Sequence, residues 1–238
     1  MATWISHMMI ADNLLSRGLG LDKKGFCVGN IAPDCNVENE DWTVFTPSRE
    51  VTHCMNGQSK LTADYEDFYS KYIKDHSFTT NEQYSFLMGY YSHLITDVEY
   101  QRFIRDEQRV KNAFKRIKAN AVLREKIIGY SEDFDTLKKV FGKNYIFHDI
   151  TVQEWSYIKS NPDSGYNTVL LNIEEFPDYL DFFPHGAIIR KIRIMANEPD
   201  KEIPEDELLF FSKQEFERFI HETNNIVYRL MKDKVSVQ

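Results

Sequence analysis

From Thr80 to Ile104 the chain reads TNEQYSFLMGYYSHLITDVEYQRFI. Tyr84, Leu87, Met88, Tyr91, Leu94, Ile95 and Val98 recur there at helical spacing. Phe86 and Tyr90 fall on another side, so the helix is apolar almost all round and should be buried. Thr79-Thr80-Asn81-Glu82 has the Ser/Thr-x-x-Glu form of a capping box at its start. His93 and Asp97 stand four apart on one face, with about 6 Å between their side-chain bases. Gly89, one turn earlier on that face, leaves room for something to approach. An ionised carboxylate in a buried helix costs several kcal/mol unless it is paired or bound to a cation. A plain His–Asp hydrogen bond inside the core is the competing reading.

The rest of the pattern is arranged around that helix. Residues 3–17 form an amphipathic helix with Trp4, Ile5, Met8, Met9, Ala11, Leu14 and Leu15 on a broad apolar face and His7 beside it. Gly18 and Gly20 end it, and Asp22 can cap the short segment KKGFCVGN. GNIAPDCN follows as turn chemistry, with Ile31 and Ala32 anchoring the turn that carries Asp34. The long loop VENEDWTVFTPSREVTHCMNGQSK has little periodicity, but Trp42, Phe45 and Val51 argue that it packs; it carries His53. Thr62 to Lys74 reads as a helix, and Asp75-His76-Ser77 as an exposed turn. After the central helix, RDEQRVKNAFKRIKANAVLREKIIG reads as one or two charged surface helices. Ser131 to Val140 reads as a short helix stopped by Gly142. Leu170 to Phe183 is apolar but broken by Pro177 and Pro184, Ala187 to Asn197 is helical, and EPDKEIPEDE is an exposed connection. Ser212-Lys213-Gln214-Glu215 is a second capping box, opening a last helix with Phe216, Phe219, Ile220, Val227 and Leu230 inward. The expectation is an all-α chain of seven to ten helices, residues 1–238 forming a single domain.

Charge and cysteine usage narrow the function classes. Asp and Glu number 37 against 29 Lys and Arg, a net charge of −8, with no long basic run. That speaks against sequence-independent binding of duplex DNA, and no nucleic-acid partner is expected. Three cysteines make no disulfide framework and suggest a reducing compartment. The start, MATWISHMMIADNLLSR, lacks the basic region, long apolar core and cleavage site of a signal peptide. No run is long enough to span a bilayer, so a cytoplasmic protein is expected. The oligomeric state is not written in the sequence.

His7, Asp34, His53, His93 and Asp97 all fall in the first hundred residues, and all are zinc-ligand types. MATWISHMMIADNLL, GNIAPDCN, PSREVTHC and FLMGYYSHLITDVEY, in that order, resemble the bacterial zinc-dependent phospholipase C-like family. The resemblance covers about the first 105 residues. It implies an all-α fold of the phospholipase C and single-strand nuclease type. It also implies a metal site of Asp34, His53, His93 and Asp97, and a second, begun by His7 and bridged by Asp97. One or two zinc ions follow from that set. Secreted members carry a third zinc and use a mature N-terminal Trp; here Trp4 is internal and no His-x-x-x-Glu pair occurs. The third site should therefore be missing, unless His148 or Asp149 folds back. Cys35 and Cys54, each following a proposed ligand, read as bystanders.

The implied activity is metal-dependent hydrolysis of phosphoric esters, more readily phosphodiesters than monoesters, on a small-molecule or lipid-like substrate. Net acidity opposes binding to anionic lipid surfaces. Asp34 is either a ligand or the catalytic base that orients water. Two alternatives stand beside this. One is a non-catalytic helical module with a structural metal or none. The other is an HD-like phosphohydrolase centred on His148-Asp149.

Overall fold

The computed structural model describes residues 1–57, 63–196 and 207–235. Thr62 at the start of one expected helix, and EPDKEIPEDE apart from its last residue, lie outside the described residues. The chain is a multi-helix all-α fold. In order it has α1 (Trp4–Leu15), α2 (Lys23–Gly29), a 3-10 turn (Ala32–Asp34), and a hairpin of β1 (Val37–Glu38) and β2 (Phe45–Thr46). It continues with α3 (Arg49–Thr52), α4 (Tyr65–Tyr72), α5 (Asn81–Arg105) and α6 (Glu107–Ala119). After a 3-10 turn (Arg124–Ile127) come α7 (Phe134–Phe141) and α8 (Lys143–Ser160), then a π-helical turn (Tyr166–Leu170), α9 (Ala187–Met195) and α10 (Lys213–Val235). No described helix is long and apolar enough to cross a membrane.

The α5 helix is the axis of the core, and every residue from Tyr84 to Val98 is buried. Its cap sits one residue later than the sequence reading places it. Thr80 Oγ1 accepts the Gln83 N–H at 3.1 Å, and Gln83 Oε1 accepts the Thr79 N–H at 3.3 Å. Glu82 instead accepts the Tyr179 hydroxyl at 2.8 Å. The capping box at Ser212 and Glu215 forms as read, with both arms made at 3.3 and 2.9 Å. The stripe on α10 turns slightly at its far end, where Met231 is fully buried and Leu230 only partly.

What approaches Gly89 is the backbone of α2. A Cβ on Gly89 would meet the Phe26 carbonyl oxygen at 2.3 Å, and one on Gly29 would meet the Phe86 carbonyl oxygen at 2.0 Å. Glycine at both positions lets the two backbones touch, which no side-chain-bearing residue allows. This contact matters because α2 runs directly into the turn that carries Asp34. Ile31 and Ala32 are fully buried and pin that turn against α5.

Of the residues expected to anchor the long loop, Phe45 is partly buried but Trp42 and Val51 are about half exposed; its described part is held instead by two-residue strands that the sequence reading did not place. Val37 pairs with Thr46 and Glu38 with Phe45 in an antiparallel hairpin. Glu38 takes both Arg190 and Lys191 from α9 as ion-pair partners, which ties the hairpin to the body. α10 packs on α5 and on α1, closing the far side of the core.

Candidate metal centre

All five candidate residues converge. His7 comes from α1, Asp34 from the end of the buried turn, His53 from the cap of α3, and His93 and Asp97 from α5. His7 and His93 are fully buried, and their rings stack at 3.8 Å with 7° between planes. His53 and Asp97 are buried, and Asp34 keeps 11% of its side chain exposed.

The hydrogen bonds around the imidazoles fix which nitrogen faces inward. His93 Nδ1 lies 2.7 Å from the Asn30 carbonyl oxygen, which can only accept. The proton is therefore on Nδ1, and the Nε2 lone pair points into the cluster. His53 Nδ1 lies 2.9 Å from Thr52 Oγ1, whose own proton reaches towards the Arg49 carbonyl oxygen at 3.5 Å. That assignment puts a second Nε2 lone pair into the same space. The two Nε2 atoms are only 3.3 Å apart.

The spacing of the inward atoms fits a cation. Donors about 2.1 Å from a tetrahedral ion stand about 3.4 Å from one another. His53 Nε2 is 3.4 Å from Asp34 Oδ1 and 3.5 Å from Asp97 Oδ2; His93 Nε2 is 3.8 Å from Asp97 Oδ2. On the other oxygen of Asp97, His7 Nε2 lies 3.5 Å away. Two groups of three donors result, His7–His93–Asp97 and Asp34–His53–His93, each with its ligand atoms within 4.8 Å of one another. Both groups can hold a metal ion, and since His93 has one free nitrogen, it can serve only one ion at a time.

Electrostatics and unpaired atoms point the same way. Burial, reinforced by the neighbouring His7, pushes His93 down to about 3, so the ring is neutral at physiological pH. Burial alone would raise both carboxyls. The histidines packed against them more than offset it, His53 and His93 at Asp34 and His7 and His93 at Asp97. Both carboxyls are held below the usual carboxylate range. Two carboxyl groups and three imidazoles thus share a space largely shut off from water. Both nitrogens of His7 and Asp34 Oδ1 are buried without a hydrogen-bond partner. A buried unpaired polar group costs about 1–3 kcal/mol and needs an explanation. One or two divalent cations supply one.

These facts stand beside a comparison of sequences. Residues 6–99 match the family described as zinc dependent phospholipase C. The phospholipase C match spans His7, Asp34, His53, His93 and Asp97 and stops short of α6. No curated protein and no solved structure gives a match to the chain.

Other candidates are placed elsewhere. Asp149 is buried, but Oδ2 accepts the backbone N–H groups of Phe210 at 2.6 Å and Phe211 at 3.0 Å. Its carboxylate thus holds the strand of chain leading into α10. Neither His148 nor Asp149 belongs to a metal-competent group among the described residues. Cys35 is buried and donates to the Ile31 carbonyl oxygen at 3.3 Å; neither it nor Cys54 joins either group. His76, His185 and His221 are exposed.

The sequence reading missed three supporting groups. The Ala2 N–H donates to Asp97 Oδ1 at 2.8 Å. The Asn30 carbonyl orients His93. Glu154 on α8 is buried and accepts the hydroxyls of Thr3 and Ser6, which belong to the cap and first turn of the helix carrying His7. Burial pushes Glu154 up to about 7. A lone Glu on the inward side of Ile150-Thr151-Val152-Gln153-Glu154-Trp155 was the one available signal.

A cavity of about 450 Å³ opens beside the cluster. Asp34 lines it, as do Arg49, Glu154, Trp42, Trp155 and Lys191. Of the five clustered residues, Asp34 is the one that reaches this cavity.

Proposed function

We propose that the protein is a metal-dependent hydrolase acting on phosphodiesters. Asp34, His53, His93 and Asp97 hold one zinc ion, and His7 with the second oxygen of Asp97 begins another site. The observation that carries this reading is the convergence of four donor atoms, His53 Nε2 lying 3.3–3.5 Å from the other three and His93 Nε2 3.8 Å from Asp97 Oδ2, with Asp34 also lining a cavity. Zinc bound in such a set lowers the pKa of its water from about 16 towards 7 and polarises a phosphoryl oxygen. The chain's own residues supply the rest. The Asn30 carbonyl and Thr52 hydroxyl hold the two imidazoles in the tautomer that leaves Nε2 free. The Ala2 N–H fixes Asp97 and leaves its other oxygen towards His53 and His93. Asp34, kept ionised and lining the cavity, can take a proton from water there with the oxygen that does not point at His53.

The reading takes residues 1–238 as one domain, supported by the packing of α10 on α5 and α1. It takes the substrate to be a small phosphodiester. No described helix crosses a membrane, and nothing in the geometry selects a lipid over another diester.

A second reading has its own observation. Three of the four donors sit on residues closed off from the cavity, and a fully closed four-ligand zinc site is structural. One experiment separates the two. Metal content is measured after dialysis, and turnover of bis(4-nitrophenyl) phosphate is followed with and without chelator. Zinc at one or two per chain with chelator-sensitive turnover is expected. Tightly held zinc without turnover of any diester supports the structural role, and a metal-free protein of unchanged stability refutes both.

A further inference from the structure

Two cationic side chains line the cavity, and they are not equivalent. Lys191 is 4% exposed, and its ammonium is bound to Glu38 and lies 5.0 Å from the Trp42 ring centre. It is spent on holding the hairpin to α9. Arg49 is different. Its side chain is 43% exposed, and its nearest anion among the described residues is Asp34, with Nη2 to Oδ1 at 3.7 Å. That is an ion-pair contact but too long for a hydrogen bond. The guanidinium thus stands beside the carboxylate that joins the metal cluster to the cavity, with its planar fork of donors uncommitted. Such a fork matches two oxygens of one phosphoryl group.

The same lining is rich in aromatic rings. Trp4, Trp42, Phe45, Trp155 and Tyr166 line the same cavity. Trp42 is 51% exposed and is presented by the hairpin that Glu38 pins down. Its ring meets Phe45 edge-on at 6.5 Å and the Lys191 ammonium, and the half left in water is surface that an organic group could cover. We propose that Arg49 is a substrate-binding residue that anchors the non-bridging phosphoryl oxygens. The aromatic lining, Trp42 included, takes one organic arm. The substrate class is then a phosphoric ester with an apolar or aromatic arm that fits about 450 Å³. This rests on the hydrolase reading for the position of the phosphoryl group.

Two probes and two variants test it by calorimetry on zinc-loaded protein. Inorganic phosphate probes the anion subsite, and phenylphosphonate, whose P–C bond is not hydrolysed, adds an aromatic arm. Arg49→Gln is expected to weaken both probes by about 10- to 100-fold, the range for one charge-assisted hydrogen-bonded contact. Arg49→Lys keeps the charge without the fork and should recover part of that loss. Trp42→Ala should weaken phenylphosphonate and leave inorganic phosphate unchanged. Zinc content, measured on every variant, should match wild type. Wild-type affinity for phosphate in Arg49→Gln overturns the proposal, as does absence of phosphate binding by the zinc-loaded wild type. Turnover of bis(4-nitrophenyl) phosphate distinguishes the two levels. Arg49-dependent phosphate binding without turnover retains this subsite and removes the hydrolase reading. Turnover with kcat/KM untouched by Arg49→Gln removes the subsite and retains the hydrolase.

Discussion

Asp97→Asn is the sharpest perturbation of the proposed centre. Asp97 meets three imidazoles, at 3.5 Å for His7 and His53 and 3.8 Å for His93. The amide is nearly isosteric, and its oxygen can still accept the Ala2 N–H now at 2.8 Å. In the metal-free protein the cost should stay within about 1–3 kcal/mol, the price of imperfectly paired buried polar groups. With zinc the outcome differs. At a free concentration of 100 times the wild-type Kd, zinc stabilises the fold by about 2.7 kcal/mol. Losing even an outer partner of a metal site costs 10- to 100-fold in affinity, so a 100-fold rise in Kd is a modest allowance for a direct ligand. The stabilisation then shrinks to RT ln 2, about 0.4 kcal/mol. A chain of this size shifts by about 2–4 °C per kcal/mol, so zinc should raise the melting temperature about 5–9 °C more in wild type than in Asp97→Asn. Scanning calorimetry on both proteins, chelated and zinc-loaded, reads the difference. Equal zinc-induced shifts would refute the reasoning and leave the His93–Asp97 pair as an ordinary core contact.

Other changes probe neighbouring links of the same chain. His53→Ala should weaken zinc binding strongly and His148→Ala should leave it near normal; the reverse, by titration with zinc, would move the centre to α8. Gly89→Ala forces a Cβ to 2.3 Å from the Phe26 carbonyl oxygen, and should destabilise by about 1–3 kcal/mol or more in denaturant melts. It should also weaken zinc binding, because α2 carries the Asn30 carbonyl that orients His93. Glu154→Gln tests a pH effect. The folded-state value of about 7 lies above the ordinary 4.5, so the wild type is favoured below pH 4.5 and loses that contribution as pH rises through 7. The shift is worth at most about 3.4 kcal/mol, so in chelator the variant should gain on wild type between pH 4.5 and 8, and a constant gap would exclude a protonated Glu154. His93 works in the opposite sense. Its folded value of about 3 lies below 6.5, so in the Glu154→Gln background metal-free stability should fall as pH drops from 6.5 towards 3.

The helical periodicity of residues 80–104 sufficed for the core helix, because a segment apolar on every side has no stable place except the interior. The same argument singled out His93 and Asp97, since an ionisable pair inside such a helix needs compensation. Chemistry at fixed offsets also marked Asp22 and Ser212 as caps and came within one residue of the Thr80 cap, because caps depend on backbone groups within three or four residues. What the sequence left open depends on distances between segments remote along the chain. The backbone contact of Gly29 with Gly89 brings the Asp34 turn to α5, and α1 delivers His7 from 90 residues away onto the face of Asp97. Glu154 gave only a faint signal because its partners, Thr3 and Ser6, lie about 150 residues before it. The His148-Asp149 pair shows the converse. Two adjacent ligand-type residues looked chemical, yet α8 turns Asp149 onto the Phe210 and Phe211 amides, and only tertiary packing decides where a carboxylate on a helix is aimed. The tertiary structure likewise decided that Asp34 is the residue of the cluster that lines a cavity, because the hairpin and α9, remote in sequence, supply part of its wall.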